Sequence, residues 1–494
     1  MMAEQKKKFP GSATPADALN ALMAAAREKD ARWQDGKTFS MVFYPGEEAA
    51  KVQEAAYSAF FFENGLNPSA FPSLRKFETE VVAMSADLVH GDSEVVGNMT
   101  SGGTESILCA VKSAREWAME KKGRGATGKG EVERKVFQPE MIIPLSAHPA
   151  FDKAANYFGI KIHHAPLRDD YRVDVEEVRK LVNENTVLLV GSAPAYPHGV
   201  IDPIEELGKL ALEKNILLHV DCCVGGYILP FVEKLGYPLP KFDFRVAGVT
   251  SLSMDLHKYG YVTKGASVIL YKNSGIRKKQ YFVYTGWPGG IYASPSVVGS
   301  RGGGAIAAAW AVLHFLGMEG YLKMAKAVMT ATEKVKTRVA QIQGIHLVGN
   351  PDACVLAITA DKLDIFGIGD ELTLKGWHID RQQNPASLHL TISYGNTPHI
   401  DNFLNDLETA VRKMRKPSLH KFTAKATIGL VKGASKFLPK KTMSRITSKF
   451  GTQKKKKGIP ARSAAMYGMM AILPNKGDIR EIILNMLDGL NKMD

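Results

Sequence analysis

The sequence predicts an α/β domain with a mostly parallel sheet, followed by a smaller α+β domain. Three observations carry that prediction. From about residue 94 to residue 275, strand-like and helix-like stretches alternate. Several strand candidates are apolar on both faces, as strands sandwiched between helices are. The polar motifs fall just after strand candidates, and sheets of this class bind ligands beyond the carboxyl ends of their strands.

The totals set bounds on the rest. A chain of 494 residues with 45% hydrophobic and 23% charged residues is ordinary for a globular protein of roughly two to three domains. Its four cysteines, Cys109, Cys222, Cys223 and Cys354, have neither a disulfide framework nor zinc spacing, which points to a reducing compartment and no metal site. The start, MMAEQKKKFPGSATP, lacks the apolar core of a secretory signal. No run of about 18 uninterrupted apolar residues appears, so no transmembrane helix is expected. The expectation is a cytoplasmic, enzyme-sized protein. Between Thr409 and Gly477 lie 18 Lys and Arg and no Asp or Glu, more than the net charge of +14, so the remainder is mildly acidic. Such a local patch speaks to a surface partner and not to the fold.

Taken in order, Ala16–Trp33 has helical spacing, as does Glu47–Glu63, and NGLNPSAFP at 64–72 is a loop. A helix is expected at Ser73–Leu88 with Ser73 as its N-cap. The strand candidates are Met141–Pro144, Ile160–His164, Val187–Val190, Ile216–Val220, Val246–Ser251 and Ser267–Tyr271. Amphipathic helices fall between them at Asp174–Val182 and Pro203–Lys214, the latter with Asp202 as N-cap and Pro203 at its first position. A helix at Ala305–Leu316 and another from about Tyr321 lead out of the large domain. Strand character at Gly344–Ala360 and Leu388–Tyr394, with helices at Asn402–Met414 and Ile479–Leu490, makes the smaller domain. The boundaries expected are 1–93 for an N-terminal segment, 94–320 for the large domain, and 321–494 for the small one, with a basic insertion at about 418–464.

The motifs bear chemistry. In GVTSLSMDLHKYGYVTK, residues 248–264, Lys258 follows a buried strand, where lost hydration lowers an amine's pKa and makes it a nucleophile. Such lysines form Schiff bases with carbonyls, pyridoxal phosphate (PLP) being the commonest partner; the bland reading is a surface lysine. In NMTSGGTES, residues 98–106, two glycines and Thr104 at a helix start offer N–H groups and a hydroxyl to an anion, or simply enter a helix. His148 in SAHPAF is placed either to stack on an aromatic cofactor or to sit as a satisfied structural histidine. Tyr196 and His198 in APAYPHGVID follow the next strand. Asp221 ends the strand of ILLHVDCCVGGY, where a carboxylate pairs with a protonated pyridine nitrogen or else caps a loop. PSVVGSRGGG, 295–304, either cradles phosphate or bends the chain between domains.

The ordered set GGTES, SAHPAF, YPHGVID, HVDCCVGG and SMDLHKYGY resembles the PLP-dependent decarboxylase superfamily, fold type I. Further phrases, NPSAFPSLRKFETE, FDFRVAGVTS, HKYGYVTKGASVILY and GGIYASPSVVGSRGG, resemble the sphingosine-1-phosphate lyases within it. The likeness runs from about Tyr44 to Asn402 and returns weakly at 465–471. It implies that Lys258 carries PLP as a Schiff base, Asp221 holds the pyridine nitrogen, and His148 stacks on the ring. It places Gly103, Thr104 and His257 at the cofactor, with Gly299 and Ser300 contributed by the second subunit of a homodimer whose sites are shared. Residues 1–93 would then contribute to dimer and site. Tyr44, Asn64, Asn67, Tyr196 and Lys264 match substrate positions, and Tyr261 matches a tyrosine that assists catalysis. The implied reaction is retro-aldol cleavage of a phosphorylated sphingoid base to a long-chain aldehyde and phosphoethanolamine. His148, Tyr44, Tyr261 and released Lys258 all stand as candidates for the base. One departure is plain: where the family reads Asn-Pro-Leu-His, this chain reads Asn64-Gly65-Leu66-Asn67, so an uncharged amide replaces a phosphate-binding histidine. Residues 121–138 read as a basic, glycine-containing insertion.

Two other functions compete: an amino-acid decarboxylase of the same cofactor class, and a lipid-surface binding protein with a dead site. Lys264 within HKYGYVTKG favours the lyase over the first, and intact Lys258, Asp221 and His148 oppose the second. The basic insertion has no family counterpart. On a helical wheel Phe422, Leu430, Val431, Phe437 and Leu438 share one half while Lys421, Lys425, Lys432 and Lys436 cluster opposite, and Lys454–Lys457 extend the charge. It reads either as an interfacial helix on an anionic membrane, through 418–457, or as a solvated basic loop. Nucleic acid is not expected, since few aromatics are present to stack on bases.

Overall fold

The computed structural model describes residues 9–124 except 29, residues 137–415, and isolated positions between 480 and 488. The basic insertion, the family return at 465–471, most of the helix expected at 479–490, and residues 125–136 of the 121–138 insertion lie outside the described residues.

Seven strands form the main sheet: β1 (Val96–Thr100), β2 (Glu140–Pro144), β3 (Lys161–Ala165), β4 (Thr186–Ser192), β5 (Leu217–Asp221), β6 (Ser251–Met254) and β7 (Ser267–Tyr271). Their order is β1-β7-β6-β5-β4-β2-β3. Strands β2 to β6 pair parallel with their neighbours in that order. Only β7 is reversed, antiparallel to both β1 and β6. The arrangement is the α/β architecture of PLP fold type I. Every residue of β2, β4, β5, β6 and β7 is buried, which is why these strands read as near-continuous apolar runs. The edge strand β3 buries only Ala165.

The helices before and beside the sheet are α1 (Ala16–Arg27), α2 (Glu47–Ala59), α3 (Pro72–Leu88) and α4 (Gly103–Arg124). Helix α3 opens one residue earlier than expected, with Pro72 in its first turn and Phe71, not Ser73, at the cap. Likewise Pro203 is the cap of Ile204–Lys214, and Asp202 is not. The Asp202 carboxylate is fully buried and accepts instead from the backbone of Val173 and Ser192, at 2.9 and 2.8 Å, tying two loops together. Asp174 does cap its helix, accepting from Glu176 and Glu177 N–H.

Three other readings change. The strand expected at Val246–Ser251 starts only at Ser251, because Val249 N–H closes a turn onto Val246 O at 2.9 Å. Strand β1 carries no apolar alternation strong enough to announce it. The two helices expected at Ala305–Leu316 and from Tyr321 are both present, but the first opens earlier, at Gly303, and only a kink at Gly317, where φ is +52°, parts it from the second within the run Gly303–Gln341. That run is long and apolar enough by length and composition to cross a membrane, but many of its apolar residues are buried and it packs on α2 and α3.

A two-stranded hairpin, β8 (Phe282–Trp287) and β9 (Gly290–Ser294), follows the main sheet. A further sheet, β10 (His346–Leu347), β11 (Val355–Thr359), β12 (Asp380–Gln383) and β13 (Ala386–Thr391), has the order β10-β11-β13-β12. The helix Ile400–Arg415 ends the described chain apart from the isolated positions. Two compact units divide the molecule. The larger, Phe39–Ile358 with His389–Ile400, contains the seven-stranded sheet and every candidate site residue. The smaller comprises the described residues of 1–38, 359–388 and 401–494, and within it Lys375 and Trp377 both bond Asp406, at 2.5 and 2.9 Å.

The turn before β6 depends on a backbone-to-backbone approach. A side-chain carbon at Gly248 would lie 2.2 Å from Gly208 O, inside the helix Ile204–Lys214. Gly248→Ala is expected to push that helix off the sheet, at a cost of about 2 kcal/mol or more. A thermal melt lowered by several degrees would show it, and an unchanged melt would contradict the packing.

Candidate active site

Because six strands share a direction, their carboxyl ends share an edge, and the motifs gather there. β2, β4 and β6 end at Pro144, Ser192 and Met254, each four residues before His148, Tyr196 and Lys258. β5 ends at Asp221 itself, opposite Ser253 of β6. β1 ends at Thr100, and Ser101 and Gly102 lead directly into α4, so Gly103 and Thr104 open a helix whose first N–H groups have no partner in the helix.

Lys258 is held by a carboxylate. Its Nζ lies 3.1 Å from Asp255 Oδ2, and the Asp255 side chain is only 2% exposed, against 25% for Lys258. His257 Nε2 approaches the same oxygen at 3.6 Å. Its Nδ1 donates to Ala266 O at 2.8 Å, which fixes the ring's tautomer and orientation. Burial does act to lower the Lys258 pKa, as the sequence implies. The negative charge of Asp255, reinforced by Asp221, outweighs it, and the net shift is upward. The amine is therefore held as an ammonium in the protein alone, contrary to the expectation of a lowered pKa. Asp255 is the residue sequence reasoning misses. Its signal is an acid three positions before the lysine, which one turn brings onto the amine.

Asp221 is fully within the core. Its Oδ1 accepts from Cys223 N–H at 3.0 Å and from Ser253 Oγ at 3.3 Å, and among the described residues Oδ2 accepts nothing. Burial works against its charge, but the Cys223 bonds and the charges of His148 and Lys258 outweigh it and hold the carboxyl below the usual range. Beneath it, His219 bridges Ser251 and Ser253 at 2.9 and 3.2 Å. Burial lowers its pKa to about 4, so it is a neutral prop under Asp221. His148 is exposed, and its Nδ1 accepts from Ala150 N–H at 3.1 Å.

Lys264 folds back onto this turn. Its Nζ donates to His257 O at 3.0 Å and lies 5.4 Å from the Phe43 ring centre, beside Tyr44. Surrounding protein, and then the charge of Lys258, lower its pKa to about 8. Tyr261 adopts φ +57°, a left-handed conformation costly for an aromatic residue. Its Oη accepts from Tyr394 N–H at 3.3 Å, and burial raises its pKa. Tyr196 stacks on His389 with ring centres 4.0 Å apart. Asn64 Nδ2 donates to Ser300 Oγ at 3.1 Å and Asn64 Oδ1 accepts from Arg301 N–H at 3.1 Å, so the Asn64 loop and the second glycine-rich loop meet within this chain. Asn67 stands apart. It is exposed, and its Oδ1 accepts from Ser69 and Ala70 N–H, at 3.0 and 3.1 Å, within its own turn.

The residues present suit a phosphorylated aldehyde cofactor. A side chain at Gly103 would meet Asp255 and Cys223 at 2.7 Å, so the backbone at the start of α4 lies hard against the lysine's own partner. Asp255 Oδ1 is buried and accepts no bond among the described residues. An amine, a buried carboxylate at the end of β5 and a helix N-terminus are three groups that PLP requires, for its aldehyde, ring nitrogen and phosphate.

Comparison with known proteins agrees. Residues 57–358 match the family model described as the pyridoxal-dependent decarboxylase conserved domain. The chain is 40% identical over 471 residues to the sphingosine-1-phosphate lyase of Oryza sativa, covering 94% of this chain and 78% of that one. It is 41% identical over 445 residues to the lyase 1 of Rattus norvegicus, covering 88% and 76%. Among solved structures, the sphingosine-1-phosphate lyase of Burkholderia pseudomallei superposes with a TM-score of 0.78 at 38% identity, covering 88% of this chain and 98% of that chain. The chain belongs to the sphingosine-1-phosphate lyase family. It is a PLP-dependent lyase. A glutamate decarboxylase of Lactobacillus brevis superposes with a TM-score of 0.73 over 85% of this chain and 97% of that one, at 20% identity, a likeness of fold alone. The decarboxylase and dead-site readings are accordingly not favoured.

Replacing Asp255 by Asn removes the charge facing Lys258. With the cofactor stripped, the pH midpoint for acylation of Lys258, followed by peptide mass spectrometry, is expected to fall by at least about one unit. An unmoved midpoint would mean that the ammonium is held by something else.

Proposed function

We propose that this lyase cleaves phosphorylated long-chain bases to a long-chain aldehyde and phosphoethanolamine, with the assignments below. The observation that carries the reading is the pairing of two lysines in one turn, Lys258 on Asp255 and Lys264 folded onto His257 O. Bound PLP supplies an electron sink for the breaking Cα–Cβ bond. Lys258 holds the cofactor aldehyde until the substrate amine takes its place. Asp221, kept ionised, pairs with the ring nitrogen, and His148 stacks on the ring. Gly103, Thr104 and His257 receive the cofactor phosphate.

Lys264 gives the substrate phosphate a point charge, and Tyr44, which follows the Phe43 ring that Lys264 approaches, assists it. Asn64 holds Ser300 in place, while Tyr196, braced by His389, lines the substrate channel. Asn67, spent on its turn, contributes at most its amide N–H groups, so Lys264 bears more of the recognition than it would beside a histidine. With its amine free, Lys258 would be held as an ammonium by Asp255, which would fit it to supply a proton at the substrate carbon. Tyr261, with its raised pKa, remains a neutral phenol able to donate a hydrogen bond.

The working unit is a homodimer in which Gly299 and Ser300 reach the second copy's cofactor. Support comes from the β8–β9 hairpin just before them, which exposes Phe282, Tyr284, Trp287 and Ile291 together. The basic insertion meets an anionic membrane, where the substrate resides. Deleting 418–457 should abolish co-sedimentation with phosphatidylserine liposomes, and undiminished binding would rule that role out.

Incubation with sphingosine 1-phosphate is expected to yield a long-chain aldehyde and no carbon dioxide, and Lys258→Ala should yield neither. The charge state of Lys264 sets the pH profile. Its ammonium exists below about 8, and a phosphate monoester is fully ionised above about 6. The two charges coexist between those values, so kcat/KM should fall as pH rises through about 8. Lys264→Arg should move that limb upward, and Lys264→Gln should raise KM and flatten it. A limb unmoved in both variants would sink the assignment.

A further inference from the structure

Two carboxylates, one buried and one half-buried, touch none of the site residues' reactive atoms and join the two glycine-rich segments. Glu105, in the first turn of α4, is 6% exposed. Its Oε2 accepts from Ser101 N–H and Ser101 Oγ, both at 2.7 Å. Its Oε1 accepts from Val297 and Val298 N–H, at 2.9 and 3.2 Å. Glu78, on α3, repeats the pattern. Its Oε1 accepts from Met99 N–H at 3.1 Å, and its two oxygens take the Arg301 guanidinium at 2.7 and 2.8 Å. Arg301 also donates to Gly65 O at 2.9 Å, and its N–H holds Asn64. Each carboxylate thus grips residues 99–101, which run into Gly103 and Thr104, and residues 297–301, which contain Gly299 and Ser300.

The chemistry of the contacts explains why a carboxylate is needed. Glu105 faces donors on both sides, and only an acceptor-only group satisfies both. A glutamine would turn its NH2 toward one set and break it. Met99 lies in the edge strand β1, but Ser101 and residues 297–301 lie outside any strand or helix, so no sheet or helix ladder sets their position relative to each other. Charge-assisted bonds of this kind are about twice as strong as neutral ones, enough to fix a loop that a phosphate must find already in place.

We infer that Glu105 and Glu78 are positioning residues for the cofactor phosphate: they tie the segment that opens α4, at this copy's phosphate, to the segment that ends in Ser300, which serves the second copy's, so that both are held in one register. This rests on the placement of that phosphate at Gly103 and Thr104 proposed above. It goes beyond it in making phosphate affinity depend on residues that never contact the phosphate.

The test compares PLP with pyridoxal, which lacks the phosphate. Dissociation constants for both are measured by absorbance on full-length protein stripped of cofactor, for the wild type, Glu105→Gln, Glu78→Gln and Thr104→Ala. Glu105→Gln is expected to weaken PLP about tenfold while pyridoxal stays within about twofold, and Glu78→Gln to shift the same way. A general loosening of the fold would weaken both ligands, and that result, or no change in either, overturns the inference. Should Glu105→Gln fail to fold, Glu78→Gln carries the comparison. Phosphate-selective loss in Thr104→Ala with none in the glutamate variants refutes the positioning role alone. No selective loss in Thr104→Ala refutes the phosphate placement, and the inference with it.

Discussion

One reversed strand makes the rest possible. β7 stands between β1 and β6 and runs against both, so β1 is carried across the sheet without losing its direction. Were β7 parallel, its chain would need another crossover and β1 would pair with something else. As it is, the glycine-rich entry to α4 emerges at the same edge as Asp221 and Lys258. The groups proposed for the ring nitrogen, the aldehyde and the phosphate come from the ends of β5, β6 and β1, three strands whose common feature is that edge. Backbone pairing sets the spacing: Asp221 lies opposite Ser253, and Ser253 Oγ bonds Asp221 Oδ1 at 3.3 Å.

At that edge the charges constrain one another. Two acids, Asp221 and Asp255, face two lysines, Lys258 and Lys264, and two histidines, His148 and His257, gathered from three stretches of the chain. A buried carboxylate left without a partner costs several kcal/mol, on the order of 3–5 when a pair is broken. Asp255 is therefore bound to the nearest cation, Lys258, at 3.1 Å, while burial lowers the pKa of His257, whose Nε2 lies 3.6 Å away. Lys264 feels the same crowding with the opposite sign, its pKa lowered partly by Lys258. The site thus sets one lysine firmly charged and the other near the point of losing its charge, using a single acid and a turn.

Much of this could be read from the chain, and the failures have causes. Strands sandwiched by helices, such as β2, β4 and β5, are apolar throughout and legible within a residue or two. β1 was not, because Gly97 and Asn98 interrupt its apolar pattern while packing, not periodicity, keeps it in the sheet. The position of β6 was misjudged because Val246 and Val249 look like strand residues yet serve a turn against Gly208. Ser73 and Asp202 look like caps by type, but a proline beside each preorganises the helix start without them. The candidate residues that a motif carries, such as Lys258, Asp221 and Gly103, are the ones that the strand ends gather at one edge. Asp255, Glu78 and Glu105 were not legible, since a carboxylate that serves backbone N–H groups or a neighbouring amine has no distinguishing sequence context. Their roles exist only once distant segments meet.

Tyr261 shows how little separates cofactor chemistry from substrate choice. Its left-handed φ reverses the chain three residues after Lys258. Around it the loop closes on itself: Tyr261 N–H bonds Lys258 O at 3.0 Å, Val262 N–H bonds Leu256 O at 3.1 Å, and His257 N–H bonds Ala266 O at 3.1 Å. A continuing helix would carry Lys264 away from His257, and an extended chain would carry it farther still. The reversal instead brings Lys264 Nζ to the carbonyl of the residue preceding Lys258. An aromatic residue held in this conformation stores strain that a glycine would not, and its burial, its bond from Tyr394 and the neighbouring Tyr259 ring offset that cost. The energy spent on one backbone angle fixes the distance between the amine that holds the cofactor and the amine proposed to read the substrate. In a chain with an uncharged amide at Asn67, the proposed recognition of the substrate phosphate leans chiefly on that distance.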